Sequence, residues 1–316
     1  MLSLDGAVHA RHRDPFARAF RPAATRAAFT AHVEAEAARL VRALAPRGAA
    51  EVRAELAGPL AVSVVSRALG LPAADPGTVR SWYEAFVAAI SGITAGRADE
   101  LGAAHQRAYA ELRAGVEAAL AAGEPSLLVA AGRVLPIADV VANAAVLMFG
   151  GIDTTEGMIT NAVRHLLSHP DQLDLVRAEP ALLATAIEES LRLEPAASVL
   201  DRYATRDVEL GGARVAAGDL VRVSLAGANR DPAVFPDPDR FDVRRAGLGD
   251  HLAFAHGPHF CFGAPLARLE ARAMLTELLD RLPGLGLDPA RRGDVRGLVF
   301  RKPQALHVRW TPAHPD

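Results

Sequence analysis

Residues 254–270 read FAHGPHFCFGAPLARLE and surround Cys261, the only cysteine among the 316 residues. Gly257 and Pro258 precede the cysteine, and Gly263 follows it. This composition predicts a constrained turn whose backbone can approach a flat partner, because glycine reaches unusual backbone angles and proline restricts them. A helical run begins after the turn, so free N–H groups and the helix dipole would stabilise a thiolate at Cys261. The stretch therefore favours a cysteine that ligates a metal.

The surroundings of Cys261 do not suit zinc, because no second cysteine or histidine lies at zinc-ligand spacing. A buried structural cysteine is the ordinary alternative for a lone cysteine. The pattern F-x-x-G-x-H-x-C-x-G resembles the haem-binding loop of cytochromes P450. The resemblance implies that Cys261 is the proximal thiolate ligand of haem iron, with Phe254, His259 and Gly263 as cofactor-binding neighbours. Ala255 stands where this loop often has glycine.

A second motif lies near the start of the chain, where His9 and Arg13 stand four residues apart and share one face of a predicted helix. A solvated basic face is the alternative. The surrounding sequence resembles the P450 helix whose H-x-x-x-R pair contacts the haem propionates, since two polar or cationic groups suit two carboxylates. In the family this helix comes well inside the chain. We therefore expect one P450 domain over residues 1–316, truncated at its N-terminus relative to the family; a shortened protein, an internal start codon and a fragment all remain open.

Residues 135–168 predict a buried helix, because the first half of this stretch is apolar on nearly every side. Its middle reads GGIDTT over residues 150–155, and two glycines inside a helix cost about 1 kcal/mol each relative to alanine. The block resembles the distal-helix pattern [AG]-G-x-[DE]-T-[TS] of P450s. That resemblance assigns Asp153 and Thr154 to proton delivery during oxygen activation, with Gly150 and Gly151 beside the cofactor. A helix start capped by Asp153 is the alternative.

Glu189 and Arg192 stand three residues apart on a predicted helix. An exposed ion pair worth a few tenths of a kcal/mol is the plain interpretation. The pair also resembles the E-x-x-R motif of P450s, a buried structural pair joined by a third basic residue from a later irregular segment. We expect Arg240 to be that third residue.

After Pro195 the sequence changes to short β-prone pieces separated by glycine turns. By resemblance, Arg202 in this region is a further propionate contact. The predicted substrate pocket over the haem consists of four apolar residues: Leu147, Val199, Leu200 and Val299.

Composition narrows the choice of partner and compartment. Half of the residues are hydrophobic and the formal net charge is −2, so nothing indicates a nucleic-acid partner. The basic residues are almost all arginine, and Lys302 is the single lysine. One cysteine excludes an intramolecular disulfide and fits a reducing cytoplasm. The most hydrophobic window, residues 140–152, is shorter than the roughly 20 residues that span a bilayer, so we expect no membrane anchor.

Together the motifs predict a mainly α protein with a small β region, namely the P450 fold lacking its N-terminal helices and first sheet strands. The implied function is that of a soluble bacterial-type haem-thiolate monooxygenase with haem b, which uses O₂ to hydroxylate or otherwise oxidise a small apolar organic substrate. Electrons would come from an external ferredoxin and ferredoxin reductase. The alternatives are a catalytically impaired haem-binding remnant or fragment, a peroxide-driven haem enzyme, and a helical protein without haem.

Overall fold

The structure, a computed structural model, describes residues 1–71, 75–94, 103–291 and 293–312. Helices dominate the described chain. Their bounds are α1 Gly6–Ala17, α2 Pro22–Leu44, α3 Gly58–Leu69, α4 Pro76–Thr94, α5 Ala103–Ala122, α6 Leu127–Gly132, α7 Ile137–Ser168, α8 Pro170–Ala178, α9 Leu182–Leu193, α10 Leu225–Ala228 and α11 Ala264–Arg281.

Nine short strands form four small antiparallel sheets in the described residues. Their bounds are β1 Ala49–Glu51, β2 Val199–Tyr203, β3 Val208–Leu210, β4 Ala213–Val215, β5 Leu220–Ser224, β6 Gly286–Leu287, β7 Val295–Arg296, β8 Lys302–Pro303 and β9 His307–Arg309. Strand β9 lies between β1 and β6, and the other strands pair as β2 with β5, β3 with β4, and β7 with β8. The predicted mainly α fold with a small β region is confirmed.

Local sequence signals explain several helix ends. Pro22 opens α2 at a position where the missing N–H of proline costs nothing. Gly70 ends α3 in the left-handed conformation, with φ of +77°, and its amide donates to the carbonyls of Arg67 and Ser66. Ser126 caps α6, because its hydroxyl accepts a hydrogen bond from the amide of Val129 at 3.2 Å.

The 32-residue helix α7 is the centre of the fold. It packs against α3, α4, α9 and α11, and its second half is buried almost throughout. Within the described residues it is the one helix that is long and apolar enough to cross a bilayer by length and composition alone. Its contacts on several sides show why it is apolar, since it is the core helix of a globular domain.

His165 lies in the last turns of α7 and is 4% exposed. Its Nδ1 lies 2.9 Å from the hydroxyl of Ser190, and its ring stacks on Phe241 with centroids 5.3 Å apart. Burial disfavours the charged imidazolium, so the pKa of His165 falls from its usual 6.5 to about 3. The core therefore contains a histidine that is neutral at physiological pH.

This burial predicts a pH-dependent stability. Because the folded pKa lies below the unfolded one, the unfolded chain binds the extra proton between about pH 6.5 and about pH 3. The stabilisation is complete above pH 6.5 and decreases as the pH falls, with a limiting slope of about 1.4 kcal/mol per pH unit. Denaturant titrations at several pH values should show a shallower slope for His165→Gln. Equal slopes for the two proteins would contradict the assignment.

Candidate functional site

The Cys261 loop joins an irregular segment to the start of α11. The amide of Cys261 donates to the carbonyl of Phe254 at 2.8 Å, and the amide of Ala264 donates to the carbonyl of Cys261 at 3.3 Å. Gly257 adopts a φ of +71°, which glycine reaches without strain. Ala255 adopts a φ of +60°, and a side chain makes that left-handed conformation unfavourable.

Cys261 is an exposed residue, although the protein around its thiol partly desolvates it. This desolvation raises the pKa of the thiol, while the backbone N–H groups of Gly263 and Ala264 and the charges of Arg13 and Arg268 act in the opposite direction. The free cysteine is therefore favoured as the thiol, and two amides and two arginines stand where they would stabilise a thiolate.

Glu188 of α9 ties this loop to the fold. It accepts two hydrogen bonds from Arg268, at 2.6 and 2.7 Å, and its Oε2 lies 2.9 Å from Nε2 of His251. Arg268 also lies over the ring of Phe254, 4.5 Å from its centroid. Partial burial alone would raise the pKa of Glu188, but the bonds from Arg268 and His251 outweigh it and lower the pKa to about 2. Glu188, Arg268 and His251 were not predicted from the sequence; the paired glutamates at 188 and 189 were the available signal.

Glu189 and Arg192 form a fully buried ion pair, with both side chains 0% exposed. Two parallel bonds join them, from Nε of Arg192 to Oε2 at 2.7 Å and from Nη2 to Oε1 at 2.8 Å. Nη1 of Arg192 donates to the carbonyls of Asn229 and Pro238. The pair therefore organises the irregular segment that precedes the Cys261 loop.

The third basic residue of this group is Arg245, which corrects the prediction of Arg240. Nε of Arg245 donates to both carboxylate oxygens of Glu189, at 2.9 and 3.1 Å. Arg240 is exposed and contributes only its carbonyl, which accepts bonds from Arg192 and Arg245. The chain turns between the two arginines, so the later one faces inward. Sequence order alone did not distinguish them.

The two arginines give a matched prediction. Arg245→Met should lower the free energy of unfolding by about 2–4 kcal/mol, because it leaves part of a buried carboxylate charge uncompensated. Arg240→Met should change it by about 0.5 kcal/mol or less, since that side chain is exposed. Denaturant unfolding of both variants tests this. Equal losses would contradict the assignment of Arg245.

The α1 motif meets the Cys261 loop. The His9 and His259 rings stack, with centroids 4.1 Å apart, and Arg13 donates to the carbonyl of Phe260. Burial, followed by the charges of His259 and Arg13, lowers the pKa of His9. Asp5 also contacts this cluster, because its carboxylate lies 3.0 Å from Nε2 of His259.

Arg202 belongs to the same neighbourhood. It lies on β2 with its side chain exposed. The hydrogen bond with His259, and then the charges of His259, Arg202 and His9, lower the pKa of Asp5. The cluster of His9, Arg13, Arg202 and His259 thus already faces a carboxylate of the chain itself. It can receive carboxylates from a ligand.

The GGIDTT segment lies in the middle of α7. Its two glycines differ, because a methyl group on Gly151 would lie 2.6 Å from Val65 of α3, whereas one on Gly150 would meet no atom within 4 Å. Gly151 therefore serves helix packing, and Gly150 borders open space. The hydroxyl of Thr154 donates to the carbonyl of Gly150 at 2.6 Å.

Asp153 points to another side of α7 and is buried, 7% exposed. Its Oδ1 accepts bonds from the hydroxyl of Tyr83 at 2.5 Å and from Nζ of Lys302 at 2.7 Å. Burial, followed by the adjacent Asp153 charge and the bond to it, raises the pKa of Tyr83. Lys302 also donates to Glu156 at 2.8 Å. Tyr83, Glu156 and Lys302 were not predicted as site neighbours, although the only lysine of the chain was a visible signal.

Two of the four predicted pocket residues lie on connected segments. Val199 on β2 is buried, and the carbonyl of Val299 accepts a bond from the amide of Ser198 at 2.8 Å. Phe149 and Phe300, which were not predicted from the sequence, connect α7 to this segment through an edge-to-face contact of 5.2 Å.

The other two pocket predictions, Leu147 and Leu200, are both partly buried. Leu147 on α7 packs against the main core. An open cavity of about 1320 Å³ lies away from these four residues; it is bordered by the helices from α1 to α6, and Phe29, Trp82 and Leu127 are among the residues that line it.

Each of these features suits a flat, carboxylate-bearing, metal-containing group. Cys261 offers an accessible sulfur, the α1 cluster accepts carboxylates, and Gly150 leaves space on α7. Haem b has the metal, the flat ring and the two propionates that match these features, so the residues fit this cofactor. The fold and these residues together are those of a haem protein.

Comparison with known proteins gives the family. The family model described as Cytochrome P450 matches residues 126–283. Cytochrome P450 monooxygenase PikC of Streptomyces venezuelae is 41% identical over 275 residues, which is 84% of this chain and 65% of PikC. Nocardicin C N-oxygenase of Nocardia uniformis subsp. tsuyamanensis is 38% identical over 98% of this chain and 79% of its own length.

Solved structures of cytochromes P450 also match this chain. P450BioI, in complex with an acyl carrier protein ligated to hexadec-9Z-enoic acid, matches with a TM-score of 0.89 and 30% identity over 98% of this chain and 81% of its own. CalO2 matches with a TM-score of 0.88 and 35% identity over 98% of this chain and 79% of its own. The chain belongs to the cytochrome P450 family, whose cofactor is haem b.

The strained residue of the Cys261 loop gives a further prediction. Ala255→Gly should raise the free energy of unfolding by about 1 kcal/mol, because glycine adopts the left-handed conformation without the penalty of a side chain. Ala253→Gly is the control in the same loop. It should be destabilising, because φ is not positive there and glycine adds chain entropy to the unfolded state. Denaturant unfolding of both variants measures the change, and a destabilising effect of Ala255→Gly would contradict the strain assigned to this residue.

Proposed function

We propose that this chain is a haem-thiolate monooxygenase that uses O₂ and two electrons to oxidise a small apolar organic molecule. The observation that carries the proposal is the pairing of the exposed Cys261 sulfur at the start of α11 with the Asp153–Thr154 unit in the middle of α7. The first supplies a metal ligand. The second supplies an acid beside a hydroxyl in the middle of the core helix.

The cofactor would be held from two directions. Cys261 would bind the metal as a thiolate, and the cluster of His9, Arg13, Arg202 and His259 would bind the two propionates. When bound, haem b supplies the oxygen chemistry, which the thiolate ligand favours by increasing electron density at the metal. The residues of the chain bind the cofactor, orient it and control protons.

Proton control belongs to Thr154 and Asp153. The Thr154 hydroxyl donates its proton to the Gly150 carbonyl, so its oxygen lone pairs can accept a proton from another group. Asp153 precedes it directly on the chain and is held by Tyr83 and Lys302. We assign Thr154 the transfer of protons at its Oγ1 and Asp153 their supply, as a resting carboxylate that takes up a proton and passes it on. A peroxide-driven enzyme does not need this pair, so its presence favours use of O₂.

The substrate class follows from the apolar side chains at the predicted pocket and from the relatives. Leu147, Val199, Leu200 and Val299 offer no charge, and Phe149 and Phe300 add aromatic surface. One relative by name oxygenates nocardicin C, and a solved neighbour is a hydroxylase involved in himastatin biosynthesis. We infer a small apolar substrate of the secondary-metabolite kind.

We further propose that the chain works as one cytoplasmic domain that receives electrons from a separate ferredoxin and its reductase. Its motifs include no flavin or iron–sulfur signature of their own. P450BioI, solved with an acyl-carrier complex, gives a specific alternative for substrate delivery, in which the substrate arrives attached to a carrier protein.

Thr154→Ala tests the proposed reaction. The variant should keep haem and the thiolate spectrum, because Thr154 contributes no cofactor ligand, but it should divert electrons from product to hydrogen peroxide. General acid–base groups contribute about 100-fold or more to rate, so product formed per electron should fall at least about tenfold.

Thr154→Ser is the matched control, because it keeps the hydroxyl and should keep most of the coupling between electron use and product. The measurement is product and peroxide per electron consumed, with a ferredoxin system and an apolar substrate panel. Unchanged coupling in Thr154→Ala would contradict the assigned role.

A further inference from the structure

The single lysine of the chain occupies an unusual place. Lys302 lies on β8 and is 9% exposed, although lysine is almost never buried without a charged partner. Its ammonium donates to Oδ1 of Asp153 at 2.7 Å and to Oε1 of Glu156 at 2.8 Å. One cation from the C-terminal region therefore bridges two carboxylates on one face of α7.

Asp153 and Glu156 differ in their other neighbours. Arg53, before α3, donates from Nε to Oε1 of Glu156 at 2.5 Å, whereas Tyr83 of α4 donates to Asp153. Arg80, also on α4, lies on the Glu156 side. Lys302 is thus the cation that contacts Asp153 within the described part of the chain, and Glu156 has Arg53 in addition.

Two glycines lie close to the side chains of Lys302 and Glu156. A methyl group on Gly157 would lie 3.4 Å from Cδ of Lys302 and 3.2 Å from Cβ of Ala196. A methyl group on Gly58 would lie 2.9 Å from Oε2 of Glu156 and 3.1 Å from Nη1 of Arg80. Gly58 therefore leaves the space that the carboxylate of Glu156 occupies, and the Lys302 stem runs past Gly157 at ordinary van der Waals distance.

Loss of Lys302 would leave two neighbouring carboxylates, Asp153 and Glu156, with less positive charge between them. Two carboxylates that share a buried site repel each other, and one of them takes up a proton unless a cation compensates. With Lys302 removed, Arg53 would still compensate Glu156. Asp153 would lose its described cation, so the proton would go to Asp153.

We propose that Lys302 is a positioning residue that keeps Asp153 ionised and fixes its carboxylate on the Tyr83 side of α7. The inference rests on the proposed role of Asp153 in proton supply and adds the residue that sets the state of that acid. Nothing in the P450 motifs of the chain assigns a role to Lys302.

The protonation state can be measured without turnover. Infrared spectra of the haem-loaded, resting protein at neutral pH should show a protonated-carboxyl band in Lys302→Met that remains after the wild-type spectrum is subtracted. The band should be absent from wild type and from Lys302→Arg, and it should be lost again in Lys302→Met/Asp153→Asn. Absence of the band in Lys302→Met, or its loss with Glu156→Gln instead of Asp153→Asn, would overturn the proposal.

Turnover gives the second readout. Lys302→Met should lower product formed per electron by about tenfold, and Lys302→Arg should restore most of it. The matched control is Arg53→Met, which removes a cation from Glu156 but not from Asp153 and should destabilise the protein without changing coupling. Equal loss of coupling in Arg53→Met and Lys302→Met would indicate a general structural effect and overturn the proposal.

A measurement on the wild type covers the case in which Lys302→Met does not fold. Because Lys302 is the only lysine, an amine-acylating reagent has just two targets, Lys302 and the N-terminal amine, which mass spectrometry separates. Lys302 should stay unlabelled under conditions that acylate Met1, and the double variant Asp153→Asn/Glu156→Gln, which removes both carboxylates, should release it. Rapid labelling of wild-type Lys302 would contradict the pairing. Because neither this assay nor the infrared band needs product, a wrong proposed reaction would leave both results standing.

Discussion

Two adjacent carboxylates on α9 hold the cysteine side of the structure together. Glu189 lies inside the fold with Arg192 and Arg245, and these arginines bind the carbonyls of the irregular segment. Glu188 faces a different direction on the helix and binds Arg268 and His251, which flank the Cys261 loop. Removing one partner of a buried ion pair destabilises the folded state by much more than the complete pair stabilises it. The loop therefore keeps one conformation, because the alternative leaves charges buried and uncompensated.

The other side of the site depends on α7, which carries polar groups inside an apolar core. Three of these groups near its middle have partners: Thr154 bonds to the helix backbone, and Asp153 and Glu156 share Lys302. Helix packing is close at Gly151, whereas Gly150 borders open space. Packing and charge compensation thus place an acid and a hydroxyl at neighbouring positions with separate surroundings, and the proposed proton relay is built on this arrangement.

The sequence predicted the features that depend on local pattern. The long apolar run indicated α7, the spacing of Glu189 and Arg192 indicated their shared face, and the loop around Cys261 indicated the turn before α11. It did not predict partners that the tertiary fold chooses. Arg245 instead of Arg240, and Lys302 149 residues away from Asp153, depend on how distant segments pack. The glycines also needed the structure, since Gly150 and Gly151 look alike in sequence but have different surroundings.

The α9 carboxylates hold Cys261 so that, in our central claim, its thiolate becomes the proximal ligand of haem iron. The most direct measurement is the carbon monoxide difference spectrum of the reduced, purified 316-residue protein. We expect a strongly red-shifted Soret band typical of thiolate ligation, and loss of that band in Cys261→Ser with the fold intact. A band typical of a protonated or replaced thiolate in the wild type, or no haem bound at all, would contradict the claim.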